Sequence, residues 1–143
     1  VNDVMGVNSR LDEIQAAVLN IKLKYIEQEN EARRRVASFY INNIKNEKII
    51  LPQMPVNKLE HVWHLFVVRC EQRNELQLHL EKSGIQTLIH YPIPPHLQKA
   101  YAQYNQLHFP VTEQIHQEVL SLPISSVLTD EEMKKVAEAV NQF

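Results

Sequence analysis

The chain has 143 residues, of which 44% are hydrophobic and 22% charged, and its formal net charge is −2. A chain of this length and composition can bury a core as one domain, which excludes a disordered or fibrous structure. The slightly acidic balance, the single cysteine Cys70 and the lack of an apolar run of ~20 residues predict no nucleic-acid partner, no internal disulfide, no membrane segment and a cytoplasmic location.

The first half of the chain is predicted to be helical. Ser9 with Asp12 three residues later matches a capping pattern, so a helix should begin near residue 9 or 10. Apolar residues then recur at helical spacing, namely Leu11, Ile14, Val18 and Ile21. The periodicity resumes after residue 31 and continues to Ile44. We therefore expect two consecutive helices with a bend near residues 22–28.

Three consecutive arginines, Arg33, Arg34 and Arg35, lie within the second of these helices. Neighbouring residues on a helix point about 100° apart, so the three side chains cannot converge on one small anion. The pattern favours a solvated face that forms salt bridges over an anion site.

The second half of the chain alternates predicted strands and helices. Pro52 and Pro55 end the helical region, and a connector follows through about Leu59. Residues 61–70 are predicted as a strand, 71–83 as a helix that ends at Gly84, and 85–91 as a second short strand. This order indicates an α/β unit on a small sheet rather than a helical bundle.

Three further helices are predicted beyond the prolines at 92, 94 and 95. The first covers about residues 96–103, and the second covers about 111–120 with Val119 and Leu122 on its apolar side. The last begins after Thr129, because Glu132 completes a capping box and Leu128 with Met133 occupies staple positions.

The residue types that usually carry chemistry are poorly placed for it. The two glycines, Gly6 and Gly84, are too far apart for a nucleotide-binding loop. His61 and His64 point to opposite faces of the predicted strand, so no metal site is expected. Cys70 precedes an acidic residue that raises a thiol pKa, and we interpret it as a small core residue.

Two stretches are left as candidate binding segments. Asn8 and Arg10 precede a helix start, where free N–H groups favour an anion such as phosphate. From spacing alone, however, the favoured interpretation is that Asn8 caps the helix and Arg10 pairs with a nearby acid. The proline loop, residues 90–96, places His90 and His96 on a stiff segment after a strand. It is either a preorganised ligand contact or a surface turn.

These segments resemble a known family. The stretches GVNSRLDEIQAAVL (6–19), HYPIPPHLQKAY (90–101) and LSLPI (120–124) are similar, in order, to the C-terminal part of the nucleotide-sugar aminotransferases of the DegT/DnrJ/EryC1/StrS family. These enzymes depend on pyridoxal phosphate and have the aspartate-aminotransferase-like fold.

The resemblance implies a fold and a domain arrangement. It implies an α/β (α+β) fold of long N-terminal helices followed by a small, mainly antiparallel sheet with packed helices. The whole chain, 1–143, would be the C-terminal small domain of a longer enzyme, with a helical interdomain segment and connector at 1–58 and an α/β subdomain at 59–143. A large domain holding the cofactor lysine would precede it, so the chain alone should be inactive.

The resemblance also implies site residues. Asn8, and less directly Arg10, match the motif that reaches across a homodimer to the partner's pyridoxal phosphate, while His90 and Tyr91 match the loop that contacts the sugar nucleotide. Trp63 and His64 are weaker candidates that fit a core or supporting position better. No catalytic residue and no metal ligand is implied within the chain.

The implied reaction transfers an amino group from glutamate to a dTDP-linked keto-6-deoxyhexose, with C3 indicated by the His-Tyr-Pro-Ile-Pro form. Its product would serve lipopolysaccharide, O-antigen or related glycans. Two alternatives stay open, a non-catalytic binding or dimerisation module and a sugar dehydratase of the same family. The latter differs by a histidine in place of the cofactor lysine.

Overall fold

The computed structural model describes residues 3–7 and 11–143. Five helices and two strands make up the regular structure of these residues. In chain order they are α1 (Glu13–Lys22), α2 (Ile26–Asn43), β1 (Phe66–Arg69), α3 (Arg73–Lys82), α4 (Pro110–Glu118), β2 (Val119–Leu122) and α5 (Asp130–Asn141). Short 3₁₀ turns occupy Leu23–Tyr25, Lys58–Glu60, Pro95–Leu97 and Lys99–Tyr104.

The start of the first helix differs from the prediction. Helix α1 begins at Glu13 rather than near residue 9 or 10, because the Asp12 side chain itself accepts the N–H of Ile14 at 2.8 Å and caps the helix. The predicted bend is confirmed, since the 3₁₀ turn Leu23–Tyr25 separates α1 from α2.

A small antiparallel sheet lies at the centre of the second half. Strand β1 pairs with β2 in the register Phe66 to Leu122. Ile50 forms an antiparallel bridge to Arg69 on one edge, and Leu88 forms another to Ser121 on the opposite edge. The predicted class, long N-terminal helices followed by a mainly antiparallel sheet with packed helices, is confirmed.

Both strands predicted from composition are shorter in the structure. The segment 61–70 becomes a strand only at Phe66, because Trp63 adopts a φ of 51° and its N–H is bound by Nδ1 of His61 at 2.9 Å. The segment 85–91 is reduced to the Leu88 bridge. Local residue types therefore indicated the right regions but not where the backbone pairing begins and ends.

The helix predicted over 111–120 was wrong at its C-terminal end. Helix α4 ends at Glu118, and Val119–Leu122 forms β2, in which all four residues are buried. Apolar residues that fit a helical period therefore belong to a fully buried strand, a pattern that periodicity alone does not resolve.

The core lies between the sheet and helices α2, α3 and α5. Tyr40 of α2 is fully buried with its ring 5.1 Å from that of Phe66, and its hydroxyl donates to the carbonyl of Pro123 at 2.9 Å. Burial raises the pKa of this hydroxyl strongly, so it stays a neutral donor.

Two predicted helix ends are confirmed. Helix α3 ends at Lys82, and Gly84 follows it with a φ of +72°. This left-handed position allows the N–H groups of Gly84 and Ile85 to reach the carbonyls of Glu81 and Leu80. Helix α5 begins with the predicted capping box between Thr129 and Glu132.

The three arginines of α2 do form the predicted salt bridges. Arg33 pairs with Glu29, Arg34 with Glu31 at 3.0 Å, and Arg35 with Asp130 at 2.7 Å. Arg34 differs from the prediction in one respect, because it is buried rather than solvated.

Helix α1 stands apart from the core. None of its residues is buried, and Ile14, Val18 and Ile21 expose more than half of their side chains. None of the described helices combines the length and the hydropathy that a membrane-spanning segment requires.

Candidate functional site

The proline loop leaves the sheet directly after the Leu88 bridge and is held at its far end by side chains. Pro94 is buried, and the amide of Gln98 donates to the carbonyl of Ile93 at 2.9 Å. Because both ends are fixed, His90 and Tyr91 occupy defined positions at the edge of the sheet.

His90 is partly buried and bound through one ring nitrogen. Its Nδ1 shares a hydrogen bond with the hydroxyl of Ser121 in β2 at 2.8 Å. Nε2 has no partner among the described residues, which leaves this nitrogen able to bind an oxygen of a ligand.

Tyr91 presents its side chain to solvent. The side chain is 66% exposed, and its ring meets the His90 ring edge-on with centroids 5.7 Å apart. The peptide bond between the two residues is cis, and the Tyr91 carbonyl accepts a hydrogen bond from Nδ1 of His116 in α4. An imidazole and a phenol are therefore displayed together on a fixed backbone.

The end of the proline loop is bound to the start of α4 through Glu113. One carboxylate oxygen of Glu113 accepts the Phe109 N–H at 2.8 Å and lies 3.1 Å from Nε2 of the buried His96. Exposed His108 contacts the same carboxylate. The hydrogen bond from Phe109 and then the one from His96 outweigh partial burial and lower the pKa of Glu113. His96, one of the two histidines that flank the loop, thus has a structural partner.

The predicted cofactor-binding residues, Asn8 and Arg10, lie outside the described residues. In the segment before them, Asp3 forms an ion pair with Lys99 at 3.1 Å. Lys99 follows the proline loop by three residues. This exposed pair contributes little energy, and it places Asp3 beside Lys99.

Trp63 and His64, the weaker candidates, differ in burial. Trp63 is only 2% exposed and packs against Phe66, whereas His64 is exposed. The indole N–H of Trp63 is buried without a partner. Trp63 therefore occupies a core position, whereas His64 lies at the surface.

Among the described residues, the cysteine, the lysines and the potential metal ligands form no second candidate site. Within the described part of the chain, no group of three or more metal-ligating side chains lies close enough to hold a metal ion. Cys70 is buried, and burial raises the pKa of its thiol, with the neighbouring acids contributing less. Every lysine of the chain is exposed.

Sequence reasoning missed two residues that hydrogen-bond to the proline loop, Ser121 and His116. Both contact the proline loop from β2 and α4, which are far away in sequence. Ser121 did fall inside the LSLPI stretch, yet its residue type alone carried no functional signal.

The chain belongs to the DegT/DnrJ/EryC1/StrS aminotransferase family, whose model matches residues 1–141. It is 56% identical over 138 residues to dTDP-3-amino-3,6-dideoxy-alpha-D-galactopyranose transaminase of Aneurinibacillus thermoaerophilus, a match that covers 96% of this chain and 38% of the relative. It is 40% identical to dTDP-3-amino-3,4,6-trideoxy-alpha-D-glucose transaminase of Streptomyces venezuelae, covering 99% of this chain and 38% of that protein.

Solved structures give the same result. DesV of S. venezuelae, in complex with a ketimine intermediate, superposes with a TM-score of 0.85 at 40% identity and covers 98% of this chain and 38% of its own. NtdA of Bacillus subtilis with bound cofactor PMP superposes with a TM-score of 0.82 at 33% identity, covering 96% and 33%. The chain therefore spans somewhat more than a third of the length of its relatives and has the fold of the corresponding part.

Proposed function

We propose that this chain is the C-terminal small domain of a pyridoxal-phosphate-dependent sugar aminotransferase. The enzyme would move an amino group from glutamate to C3 of a dTDP-linked keto-6-deoxyhexose, for lipopolysaccharide, O-antigen or related glycans. The observation that carries the proposal is the paired display of His90 and Tyr91 beside Ser121, in a chain of this family.

His90 and Tyr91 would bind the sugar nucleotide. Nε2 of His90 lies on a ring held by Ser121, and the hydroxyl of Tyr91 lies on an apolar ring. Both polar atoms can form hydrogen bonds with hydroxyl and phosphate oxygens of a ligand. Two such groups on a fixed backbone orient a substrate at a small cost in conformational entropy. Their contribution to the reaction is positional rather than acid–base.

Asn8 and Arg10 would contact the cofactor phosphate of a second copy in a homodimer. The Asp3–Lys99 pair supports this, because it brings one residue of the segment before Asn8 close to a residue that follows the substrate loop by three positions. Both candidate segments could then serve one site at the dimer interface. Residues 1–58 would form the interdomain segment and residues 59–143 the α/β subdomain.

When bound, pyridoxal phosphate supplies the electron sink for moving the amino group. We assign the lysine that attaches the cofactor covalently to a preceding large domain, because this chain corresponds to only 38% of its relative's length. The chain alone is expected to be inactive. We place the enzyme in the cytoplasm, because a chain with a single, buried cysteine forms no internal disulfide and needs no oxidising compartment.

The proposal is tested by His90→Ala in the complete enzyme. We expect kcat/KM for the sugar nucleotide to fall about tenfold or more, because a hydrogen bond to a charged or polar substrate oxygen is lost. The half-reaction with glutamate should be unchanged. His108→Ala, which removes an exposed histidine whose partner among the described residues is Glu113, is the control. Equal kinetics for the two variants would contradict the assignment of His90.

A further inference from the structure

Ser121 is the polar residue of β2, between Leu120 and Leu122. Its side chain is 6% exposed, and it shares its hydrogen bond with Nδ1 of His90 at 2.8 Å. A buried hydroxyl is tolerated when it is paired, so this bond explains why a serine can occupy a strand that is otherwise apolar.

The backbone of Ser121 fixes the same loop. Its N–H donates to the Leu88 carbonyl at 2.8 Å, and its carbonyl accepts the Leu88 N–H at 3.3 Å. In an extended chain, residues two apart point to the same side, so this pairing brings His90 over Ser121. One residue of β2 therefore sets both the position of the loop backbone and the orientation of the imidazole.

The orientation of the His90 ring determines which ring nitrogen is available to a ligand. With Nδ1 bound to Ser121, the ring cannot rotate about χ2 without losing that bond. Nε2, on the opposite side of the ring, has no partner among the described residues. A ligand oxygen therefore meets a ring whose direction is set before binding.

We propose that Ser121 is a positioning residue that orients the His90 ring, so that Nε2 binds an oxygen of the sugar nucleotide. This inference rests on the proposed function and deepens it, because it names the group that orders the substrate-binding histidine. Ser121 itself does not touch the substrate and acts through His90.

The test uses the complete enzyme and the variants Ser121→Ala, His90→Ala and the double variant. Ser121→Ala should lower kcat/KM for the sugar nucleotide about fivefold and leave the half-reaction with glutamate unchanged. In the His90→Ala background the same substitution should change kcat/KM by less than about twofold, since a residue that acts only through His90 has nothing left to orient.

Three further variants separate positioning from stability. Ser83→Ala removes a hydroxyl that donates to the His79 carbonyl at the end of α3 and should leave the sugar kinetics unchanged. Ser121→Thr keeps the hydroxyl and should retain most of the wild-type kcat/KM. Should Ser121→Ala not be recovered folded, Ser121→Cys, with a weaker hydrogen-bonding group, should give an intermediate loss.

The outcomes distinguish the two proposals. Fully additive losses from Ser121→Ala and His90→Ala, or wild-type kinetics in Ser121→Ala, would overturn the positioning role and leave the aminotransferase proposal standing. A complete wild-type enzyme that aminates no nucleotide-linked keto sugar would overturn the proposed function and this inference together.

Discussion

Arg69 of β1 places two guanidinium nitrogens on a single carboxylate oxygen of Glu118, with Nε at 2.9 Å and Nη2 at 2.6 Å. The other carboxylate oxygen accepts the Gln114 amide at 2.7 Å, and the Glu118 carbonyl accepts the Cys70 N–H. The pair therefore joins β1 to the residue at which α4 becomes β2. This junction positions Ser121, and through it the candidate site.

The Arg69–Glu118 pair predicts acid-sensitive stability. Burial raises the pKa of Glu118, but the hydrogen bonds from Gln114 and Arg69 together with the Arg69 charge outweigh it, so the folded-state pKa is lowered. A lowered pKa means that the stabilisation is complete above the ordinary glutamate value of about 4.3 and is lost as the pH falls through the folded-state value. Glu118→Gln should lower the free energy of unfolding by about 1–2 kcal/mol at neutral pH.

Denaturant unfolding of the 143-residue chain at a series of pH values checks this prediction. The difference between wild type and Glu118→Gln should shrink in acid, while Glu47→Gln, at an exposed position, should match wild type throughout. A difference that does not depend on pH would show that the charge of Glu118 is not what stabilises the junction.

Any side chain introduced at Gly84 is predicted to lower the free energy of unfolding. Its φ of +72° closes the C-terminus of α3, and an added Cβ would lie 3.4 Å from Nζ of Lys135. Gly84→Ala should therefore destabilise the chain by about 1 kcal/mol, mainly through backbone strain.

Gly6→Ala is the matched control for this substitution. No atom of residues 3–7 or 11–143 lies within 4 Å of its added Cβ, so the expected change is a few tenths of a kcal/mol. Thermal unfolding of both variants measures the contrast, and equal midpoints would refute the strain argument.

Helix α1 is expected to drive association. Its apolar side chains at Ile14, Val18 and Ile21 are exposed, and a continuous apolar stripe is unfavourable in water. The 143-residue chain should therefore show an average mass that rises with concentration in sedimentation equilibrium.

Val18→Glu should lower this association, because it places a charge in the stripe. Gln15→Glu adds the same charge at a polar position of α1 and should associate like wild type. A monomeric wild-type chain at high concentration would argue against the role of this face.

Asn8 is predicted to help retain the cofactor in the complete enzyme. Asn8→Ala should weaken the retention of pyridoxal phosphate during dialysis, because an amide donor to the phosphate is lost. The loss of one such hydrogen bond corresponds to about a tenfold loss of affinity. Asn42→Ala, an exposed position on α2, serves as control. Unchanged occupancy in Asn8→Ala, measured by absorbance after dialysis, would remove Asn8 from the cofactor site.

Helix boundaries with a local chemical cause could be predicted from the sequence. The capping box at Thr129 and the left-handed position at Gly84 depend on residues within one turn, and both are confirmed. The start of α1 was misplaced because Ser9 and Asp12 both fit a cap, and only the structure identifies Asp12.

Features set by distant residues could not be predicted in the same way. Strand β2 follows α4 without a glycine or proline between them, so its apolar residues were absorbed into the helical pattern. The predicted strand at 85–91 shrinks to one bridge because only Leu88 meets Ser121. Candidate residues His90 and Tyr91 were found by resemblance, whereas their partners Ser121 and His116 required the fold.

The most direct test of the central claim is the absorbance of the complete protein that contains this chain, reconstituted with pyridoxal phosphate. We predict that the absorbance band of the bound cofactor is lost on adding glutamate and returns when a dTDP-linked 3-keto-6-deoxyhexose is added, with the amino sugar detected by mass spectrometry. A protein that binds no pyridoxal phosphate, or whose bound cofactor does not respond to glutamate, would contradict the account.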